Sequence, residues 1–406
     1  MSKNVLVFNC GSSSLKYRII AMPGEAELAG GEAQRVGPRT TEPSQIIHRS
    51  GGETRIHTVV MPDHKSAFVE VMKLLTATHL EPDMIGHRLV HGGEVFPGTV
   101  LLDSEMLGKL RSVEHLAPIH NPPAVALVHA CAELYPAMPQ ILVFDTSFHS
   151  TIPEYANTYP LPRWLREDMG IRKYGFHGTS HRFVAEEAAR FLDIPMNELN
   201  AVSCHLGSGG ASLCAIVGGK SVDNTMGYSP LQGLLMSTRS GDLDPGVVMR
   251  LLARSGGDAS AVEQLLNKKS GVLGLSGSSA DIRDILESGA NDVSGPLRTT
   301  KDVYLWRLRK YLGSYLAVVG STKAIIFTDT IGETVPEVRL AMCADMQSFG
   351  VELDPARNNS VGFYPRDIAT DESPVRVLVI QTNEELAIAR QSYAVFTKTV
   401  VSGGIR

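Results

Sequence analysis

The sequence predicts an α/β protein made of two similar domains, and three observations carry this prediction. A strand, a Gly/Ser-rich turn and a second strand occur twice, around Cys10–Ser14 and around Leu206–Gly210. Short apolar runs alternate with segments of helical periodicity, which is typical of mixed α/β folds. The chain has 406 residues, more than one ordinary hydrophobic core accommodates. A duplicated α/β architecture accounts for all three.

The elements can be placed in chain order from local signals. Asp145 follows a buried apolar run, as expected of a strand that delivers a polar residue at its carboxyl end. Asp244 and Pro245 form a helix start, with Gly256 as its stop. Strands are expected at 5–9, 15–20, within 25–62, and at 141–144, 201–205, 211–216, 324–327 and 377–380. Helices are expected at 64–79, from Thr179 or Ser180 to Leu192, and at 244–256, 300–319, 334–349 and 383–400.

Composition narrows the class of protein. Hydrophobic residues make up 43% and charged residues 20%, which is ordinary for a globular protein in water. The net charge of −5 argues against a nucleic-acid partner, and no apolar run approaches the ~20 residues that span a bilayer. No export signal is visible, and five scattered cysteines without a CxxC favour reduced thiols. We therefore expect a cytoplasmic protein that binds neither nucleic acid nor membrane.

The repeated turn indicates a ligand that carries phosphate. Glycine lets backbone N–H groups turn towards a bound oxygen, and serine adds hydroxyl donors. Two such turns, about 200 residues apart in the chain, favour two domains that clamp one ligand. A pair of ordinary hairpins is the alternative for either turn taken alone.

Polar residues are concentrated beside strand ends and glycines in four further segments. Arg88, His177 and Arg239 suit an anionic substrate on which charge builds as a phosphoryl group is transferred. Asp145 suits alignment, or general-base work if a proton must be handled. For each residue singly, an ion pair or a satisfied buried polar group is the alternative. The segments are His87–Gly93, Asp145–His149, Phe176–His181 and Thr238–Pro245.

His177 and His181 stand four residues apart, a spacing that also suits a pair of metal ligands on a helix. The glutamate of the HExxH pattern is missing, and Gly178 lies where the helix should already have formed. The metal pair is therefore the weaker interpretation.

The chain resembles the acetate kinase family over nearly its whole length. The strings that carry the resemblance occur in the family's order. They are Asn9–Lys16, Gly86–Gly93, Ala117–Pro122, Phe144–His149, Gly175–His181 and Thr382–Glu385.

The resemblance implies the fold shared by sugar kinases, actin and the heat-shock chaperones. That fold has two duplicated actin-like (ribonuclease H-like) α/β domains with an active-site cleft between them. The first domain would comprise 1–147 plus 384–406, closed by the C-terminal helix. The second, 148–383, would bind the donor and form a homodimer.

The resemblance also implies roles for individual residues. Catalytic roles match Asp145, His177 and Arg239. Substrate-binding roles match Arg88 for the carboxylate and Val90, Ile119, Phe176 and Pro230 around the methyl group. Phosphate and nucleotide roles match Lys16, His205, Leu206, Gly207, Ser208, Gly209, Asp281, Ile282, Arg283, Thr330, Ile331, Gly332, Glu333 and Thr334. Metal roles match Asn9 and Glu384.

The implied reaction is a reversible transfer of a phosphoryl group between ATP and acetate, by direct in-line attack, with Mg²⁺ or Mn²⁺ present. The products are ADP and acetyl phosphate. Acetate is already ionised at neutral pH, so Asp145 is better interpreted as a positioning group than as a strong base. Val90 is bulkier than alanine, which favours acetate over propionate, although one methylene is worth only ~1–3 kcal/mol.

Two segments depart from the family, and both concern the phosphate donor. The family pattern His-Leu-Gly-Asn-Gly has Ser208 in place of asparagine and one extra glycine. Two family glycines are replaced by Asp329 and Thr330, and an asparagine by Thr334. Side chains at 329 and 330 would fill space near adenosine and add a negative charge. A pyrophosphate/phosphate-dependent enzyme is therefore kept as the alternative to ATP/ADP.

Two other classes remain open on the sequence alone. A non-catalytic relative of actin or the chaperones would share the fold, but this chain keeps a small-acid pocket and lacks a peptide-binding extension. A sugar kinase would use an aspartate such as Asp145, but a neutral hydroxyl substrate gives Arg88 no purpose.

Overall fold

A computed structural model describes residues 2–37, 41–289 and 294–401. Two compact units are present: the first runs through Ser147 and resumes at Asn383, and the second spans Phe148–Thr382. The predicted boundary lay one residue later, between 383 and 384. Residues 402–406 of the predicted first domain lie outside the described residues.

The first unit is built on a sheet of eight strands in the order β5-β4-β3-β2-β1-β6-β8-β7. The central strand β1 runs antiparallel to β2 and parallel to β6, and β6 runs parallel to β8. The strands are β1 (Lys3–Cys10), β2 (Ser14–Met22), β3 (Ala26–Gln34), β4 (Gln45–Ser50), β5 (Glu53–Thr58), β6 (Met84–Leu89), β7 (Val100–Leu101) and β8 (Gln140–Phe144).

Helices cover both faces of this sheet. Successive side chains of β1 point to opposite faces and pack into a separate core on each. Leu6 and Phe8 pack in a cluster with Phe68 of α1, whereas Val5 and Val7 pack in a cluster with Ile388 of α15. The helices of this unit are α1 (His64–Ala77), α2 (Ser104–Lys109), α3 (Asn121–Leu134) and α15 (Glu384–Val401), with a 3₁₀ helix at Leu110–Leu116.

The second unit is built on a six-stranded sheet in the order β11-β10-β9-β12-β14-β13. Its strands are β9 (Ala201–Leu206), β10 (Ala211–Val217), β11 (Lys220–Asn224), β12 (Ala324–Thr328), β13 (Arg366–Asp367) and β14 (Arg376–Val379). Its helices are α4 (Glu154–Asn157), α5 (Arg163–Glu167), α6 (Gly178–Phe191), α7 (Pro245–Arg254), α8 (Ala259–Lys268), α9 (Gly271–Ser276), α10 (Ile282–Gly289), α11 (Pro296–Val319), α12 (Asp329–Thr334), α13 (Pro336–Cys343) and α14 (Pro355–Asn359), with 3₁₀ helices at Ser147–Thr151, Met196–Glu198 and Gln347–Phe349.

The two sheets repeat one topology. In each, a hairpin strand lies antiparallel to the central strand, which is followed by two parallel neighbours and then an antiparallel edge strand. The turns of the two hairpins close with the same bond: Gly11 N–H donates to Ser14 O at 2.9 Å, and Gly207 N–H donates to Gly210 O at 3.0 Å. The duplication predicted from the two turns is therefore present in the sheets.

Two local predictions are wrong. The helix expected at 334–349 is interrupted because Pro336 forces Val335 into an extended conformation, and it ends at Cys343. The helix expected to be capped by Thr179 or Ser180 begins at Gly178, and its cap residue is His177 in a left-handed conformation (φ 57°). The hydroxyl group of Ser180 makes other contacts, described below.

The described part of the chain contains no helix both long and apolar enough to cross a bilayer. The five cysteines are free thiols, four of them buried. Burial raises the pKa of the Cys10 and Cys343 thiols to about 12, which makes them unreactive at neutral pH.

Candidate active site

Strand register in the first unit places three of the predicted residues side by side. Asn9 of β1 is paired with Lys16 of β2 on one side and with Arg88 of β6 on the other. Residues paired directly across strands point to the same face of a sheet. Asp145 follows β8 and its N–H donates to Leu89 O at 2.9 Å. We call Asn9, Lys16, Arg88, Asp145 and Glu384 the Arg88 cluster.

The guanidinium group of Arg88 is held by carboxylates. Its Nε and Nη2 donate to the two oxygens of Asp145 at 3.1 and 2.7 Å. Its Nη1 donates to Asn9 Oδ1 at 3.0 Å, and Nε lies 3.7 Å from Glu384 Oε2. Burial alone would lower the pKa of Arg88, but Asp145 and Glu384 raise it above its usual range. Arg88 is therefore a cation that is held in one orientation. An anion that binds its guanidinium group must share the N–H donors with Asp145.

The same cluster offers oxygen ligands for a hard cation. Asn9 supplies an amide oxygen, and Asp145 and Glu384 supply carboxylates, which are the ligands that Mg²⁺ prefers. Among residues 2–37, 41–289 and 294–401, no group of three or more His, Cys, Asp or Glu side chains could hold a metal ion. These residues therefore fit a Mg²⁺ held by one or two carboxylates together with substrate phosphates, and not an all-protein cage.

A buried asparagine fixes the chain that follows Arg88. Asn121 accepts hydrogen bonds from the N–H groups of Val90 and His91 at 3.2 Å and donates to His91 O and Val113 O. Val90 is partly buried, whereas Ile119 is 59% exposed. These two residues of the predicted methyl pocket belong to the first unit.

The other two residues of that pocket belong to the second unit. Phe176 is buried, and its carbonyl oxygen accepts from His149 and Asn224. Pro230 is partly buried, and its carbonyl oxygen accepts from Arg239 Nη1 at 3.1 Å.

A second group of predicted residues meets at the turn between β9 and β10. A Cβ atom placed on Gly210 would lie 3.4 Å from His177 Nε2 and 3.7 Å from Arg239 Nη1, so both side chains face the turn. The rings of His177 and His205 are in contact, tilted by 31° with their centroids 4.2 Å apart. We call His177, His205, Arg239 and the turn Leu206–Gly210 the Arg239 cluster.

Arg239 differs from Arg88 in its partners. It is half-buried, and its hydrogen bonds go to the Pro230 carbonyl and the Met236 sulfur. Within the described ranges no carboxylate pairs with it. Burial lowers the pKa of Arg239, although the group stays charged at neutral pH. A half-buried cation without a carboxylate is suited to an anionic ligand.

Serine hydroxyls fix the orientation of His177. Ser212 Oγ lies 2.9 Å from His177 Nδ1 and 2.8 Å from His181 Nε2, and Ser203 Oγ lies 2.9 Å from His181 Nδ1. Burial, assisted by His149 and His205, lowers the pKa of His181 well below its usual value. Because both nitrogens of His181 are engaged by serines, the metal-pair interpretation of His177 and His181 has no support in the geometry.

His205 is bonded at both ring nitrogens. Nδ1 lies 2.9 Å from Ser180 Oγ, which also contacts Thr382 Oγ1, and Nε2 lies 3.0 Å from Asp329 Oδ2. Burial alone would raise the pKa of Asp329, but the bonds from His205 and Thr330 lower it to about 2. The carboxylate expected at residue 329 is thus hydrogen-bonded within the protein.

The predicted nucleotide segments lie beside the same turn. Ile282 and Ile331 line a small cavity together with Gly207 and Ser208. Asp281 and Arg283 form an exposed ion pair at the start of α10.

The segment 330–334 forms α12, which is held from both ends. Glu333 Oε1 accepts from Asp329 N–H at 2.8 Å and Thr334 Oγ1 donates to Thr330 O at 2.6 Å. The buried Arg339 donates to Gly332 O and Glu333 O at 2.8 and 2.9 Å. The backbone of this segment is therefore fixed from within the second unit.

Comparison with known proteins identifies the family. Residues 4–390 match the acetokinase family. The chain belongs to the acetokinase family. It is 42% identical over 405 residues to the acetate kinase of Dictyoglomus turgidum, covering 98% of each chain.

Solved acetokinase structures share the fold. The Porphyromonas gingivalis acetate kinase superposes with a TM-score of 0.90 at 37% identity, covering 97% of this chain and 100% of the other. A propionate kinase from Francisella tularensis superposes with a TM-score of 0.86 at 33% identity, covering 96% and 98%. The predicted actin-like α/β fold class is confirmed.

Several residues that shape the two clusters carried no predicted role in the site. Asn121, Ser180, Ser203 and Ser212 are buried and hydrogen-bonded to predicted residues or their neighbours. The available signal was a hydroxyl group inside an otherwise apolar strand, as at Ser203 and Ser212. Such a residue needs a partner, since an unpaired buried polar group costs stability.

Proposed function

We propose that this protein is an acetate kinase that transfers a phosphoryl group reversibly between ATP and acetate. The observation that carries the proposal is the match to curated acetate kinases at about 42% identity over nearly the full chain. The two clusters support it, because one offers a guanidinium for a carboxylate and the other offers Arg239, which pairs with no carboxylate of the described residues, for a phosphoryl group.

Acetate is assigned to the Arg88 cluster. Arginine presents a planar fork that matches a carboxylate, and Arg88 is held in one orientation by Asp145 and Asn9. In the proposal, acetate replaces Asp145 as the acceptor of one of the two hydrogen bonds from Arg88. Asp145 then positions the attacking oxygen. Val90, Ile119, Phe176 and Pro230 provide apolar contacts for the methyl group.

The transferring phosphoryl group is assigned to the Arg239 cluster. Its transition state spreads negative charge over three oxygens, so catalysis depends on cations that are already in place. Among the described residues no carboxylate pairs with Arg239, so no ion pair has to break before the phosphoryl group binds. Ser212 fixes the ring of His177. Both side chains face the turn at Gly210, where they can stabilise that charge without reorganising.

A bound Mg²⁺ would neutralise the negative charge of the donor phosphates. Asn9 and Glu384 are the residues proposed to hold it, with Mn²⁺ as a substitute, and Lys16 is proposed to contact the donor. His205, Leu206, Gly207, Ser208 and Gly209 form the proposed phosphate-binding turn. Asp281, Ile282, Arg283, Thr330, Ile331, Gly332, Glu333 and Thr334 are the proposed nucleotide contacts.

ATP and ADP are the donor pair of this proposal, and family comparisons do not favour pyrophosphate. We further propose a cytoplasmic homodimer built through the second unit. These proposals rest on the sequence resemblance and on the absence of a basic or apolar surplus in the composition.

The test is a steady-state assay of acetyl phosphate with ADP, run beside acetyl phosphate with orthophosphate. ATP formation at sub-millimolar ADP is expected. Pyrophosphate formation without ATP formation would reject the donor, and no turnover with either would reject the function. Asp145→Ala and His177→Ala should each abolish most activity. The control Arg298→Ala, which removes an exposed helical ion pair with Asp302, should not.

A further inference from the structure

The turn Leu206–Gly210 is bonded to two side chains that replace family glycines. Asp329 accepts from His205 Nε2 at 3.0 Å, and Thr330 Oγ1 accepts from Ser208 N–H at 3.1 Å. Because a carboxylate only accepts, the hydrogen on His205 Nε2 must point at Asp329. The carboxylate of Asp329 thus takes up a side-chain donor beside the turn, His205 Nε2. The hydroxyl group of Thr330 takes up a backbone donor of the turn, the N–H group of Ser208.

These two oxygens belong to neighbouring residues of one segment, 329–333, which is held by its own hydrogen bonds. Asp329 Oδ1 accepts from Thr330 N–H at 2.6 Å, and Glu333 accepts from Asp329 N–H at 2.8 Å. Asp329 has a left-handed backbone (φ 63°), which turns its side chain back towards the turn. Its carboxylate lies against Gly207 so closely that a Cβ at that glycine would collide with Oδ2. Residue 207 tolerates the contact because it is glycine.

The first hairpin provides an internal comparison. Its turn closes with the same bond between Gly11 and Ser14, but its outside contacts are made by carbonyl oxygens. His64 Nε2 contacts Gly11 O at 2.9 Å, and Val36 N–H donates to Ser13 O at 2.9 Å. In the described hairpins, a side-chain oxygen on a turn amide is found at the second turn and not at the first.

Asp329 is a charged competitor at the second turn. Bonds from His205 and Thr330 lower its pKa to about 2, so the carboxylate is ionised throughout the range in which the enzyme can be assayed. A phosphate oxygen that takes up the donors of the turn must displace Thr330 from Ser208 and share His205 with a neighbouring negative charge.

We infer that Asp329 and Thr330 form an internal phosphate mimic that weakens donor binding at the second turn. The inference rests on the proposed function only in taking this turn as the site of the donor phosphates. The pair determines affinity for a nucleoside polyphosphate through its phosphates and not through its base or sugar. Its effect falls on ADP and ATP, and acetate at Arg88 is unaffected.

The test removes the charge at one oxygen and the hydroxyl group that carries the other, while keeping the shape of each side chain. Asp329→Asn removes the charge and tolerates the left-handed backbone, and Thr330→Val removes the hydroxyl. Each should tighten ADP binding about fivefold, the worth of one hydrogen bond, measured by calorimetry on the full chain. The KM for ADP should fall in parallel, while the KM for acetate, measured in the direction of acetyl phosphate formation, stays within twofold. The matched control is Asp193→Asn, an exposed left-handed aspartate (φ 52°) at the end of α6.

Pyrophosphate is the second probe. It should bind more tightly to the same variants by a similar factor, because the inference concerns phosphates alone. Tightening for ADP without tightening for pyrophosphate would overturn the inference, as would ADP affinity that is unchanged, weaker or absent in every variant. Asp329→Gly replaces Asp329→Asn if the latter does not fold. If the wild type turns over no acetyl phosphate, the proposed function fails, but the binding comparison still decides this point.

Discussion

The two arginines at the centre of the two clusters differ in how their charge is balanced. Arg88 meets Asp145 through two hydrogen bonds and lies near Glu384, so its guanidinium is surrounded by negative charge. Arg239 meets a carbonyl oxygen and a thioether, and no carboxylate of the described chain pairs with it. Under the proposed function, the first arginine binds the carboxylate of the substrate, whereas the second binds the transferring phosphoryl group.

This difference predicts which arginine serves stability and which serves catalysis. Removing one partner of a buried ion pair leaves the other charge uncompensated, at a cost of about 3–5 kcal/mol. Removing a half-buried cation that pairs with no carboxylate among the residues described, such as Arg239, relieves a desolvation cost. Asp145 is 3% exposed at its side chain, and Arg88 is its bidentate partner.

The largest effect should follow from Arg239→Ala. A positively charged group on a transferring phosphoryl group is worth about 10³-fold or more in kcat, as arginine fingers show. We expect kcat for ATP formation to fall by about that factor while the midpoint of thermal unfolding stays close to wild type. A variant that keeps wild-type kcat would place the transition-state charge elsewhere.

The next effect is on stability. Arg88→Met should lower the free energy of unfolding by about 3 kcal/mol, because Asp145 loses its bidentate partner. Arg239→Met should change it by less than about 1 kcal/mol. Urea unfolding of both variants beside wild type measures the difference. Equal losses would remove the contrast between the two arginines.

A smaller effect should follow from Ser212→Ala, which leaves His177 Nδ1 and His181 Nε2 without their shared hydroxyl. We expect kcat to fall about tenfold with little change in either KM, because a positioning bond to His177 is lost. Ser203→Ala, which leaves Ser212 in place, is the matched variant and should lose less. The opposite ranking would show that the two serines act through packing alone.

The smallest effect tests how closely His177 and Arg239 approach the turn at Gly210. Gly210→Ala places a methyl group 3.4 Å from His177 Nε2 and 3.7 Å from Arg239 Nη1, whereas a methyl group at Gly209 meets nothing within 4 Å. Gly210→Ala should reduce kcat about threefold, a cost of under 1 kcal/mol in the barrier, and Gly209→Ala should be neutral. Steady-state rates for the pair give the comparison, which equal rates would contradict.

Much of the fold could be predicted because its signals are local. The runs at 141–144 and 324–327 are apolar throughout and form buried strands. The two Gly/Ser turns predicted two hairpins of the same topology. The helix at 334–349 was extended too far because periodicity continued past Pro336 and Cys343, where backbone conformation ends it.

Much of the site could not be read from sequence because it depends on contacts between distant residues. Arg88 and Asp145 are 57 positions apart, and nothing local shows that they pair. The serine contacts to His177, His181 and His205 likewise join separate elements. The charge added at Asp329 could be recognised from the sequence, but its pairing with His205 required the structure.

The most direct test of the account is a crystal structure with ADP, Mg²⁺, acetate and aluminium fluoride, which imitates the transferring phosphoryl group. The account predicts fluoride atoms within hydrogen-bond distance of the Arg239 guanidinium and His177 Nε2. Aluminium fluoride bound away from both side chains, in an enzyme that is active in the crystallisation buffer, would contradict it.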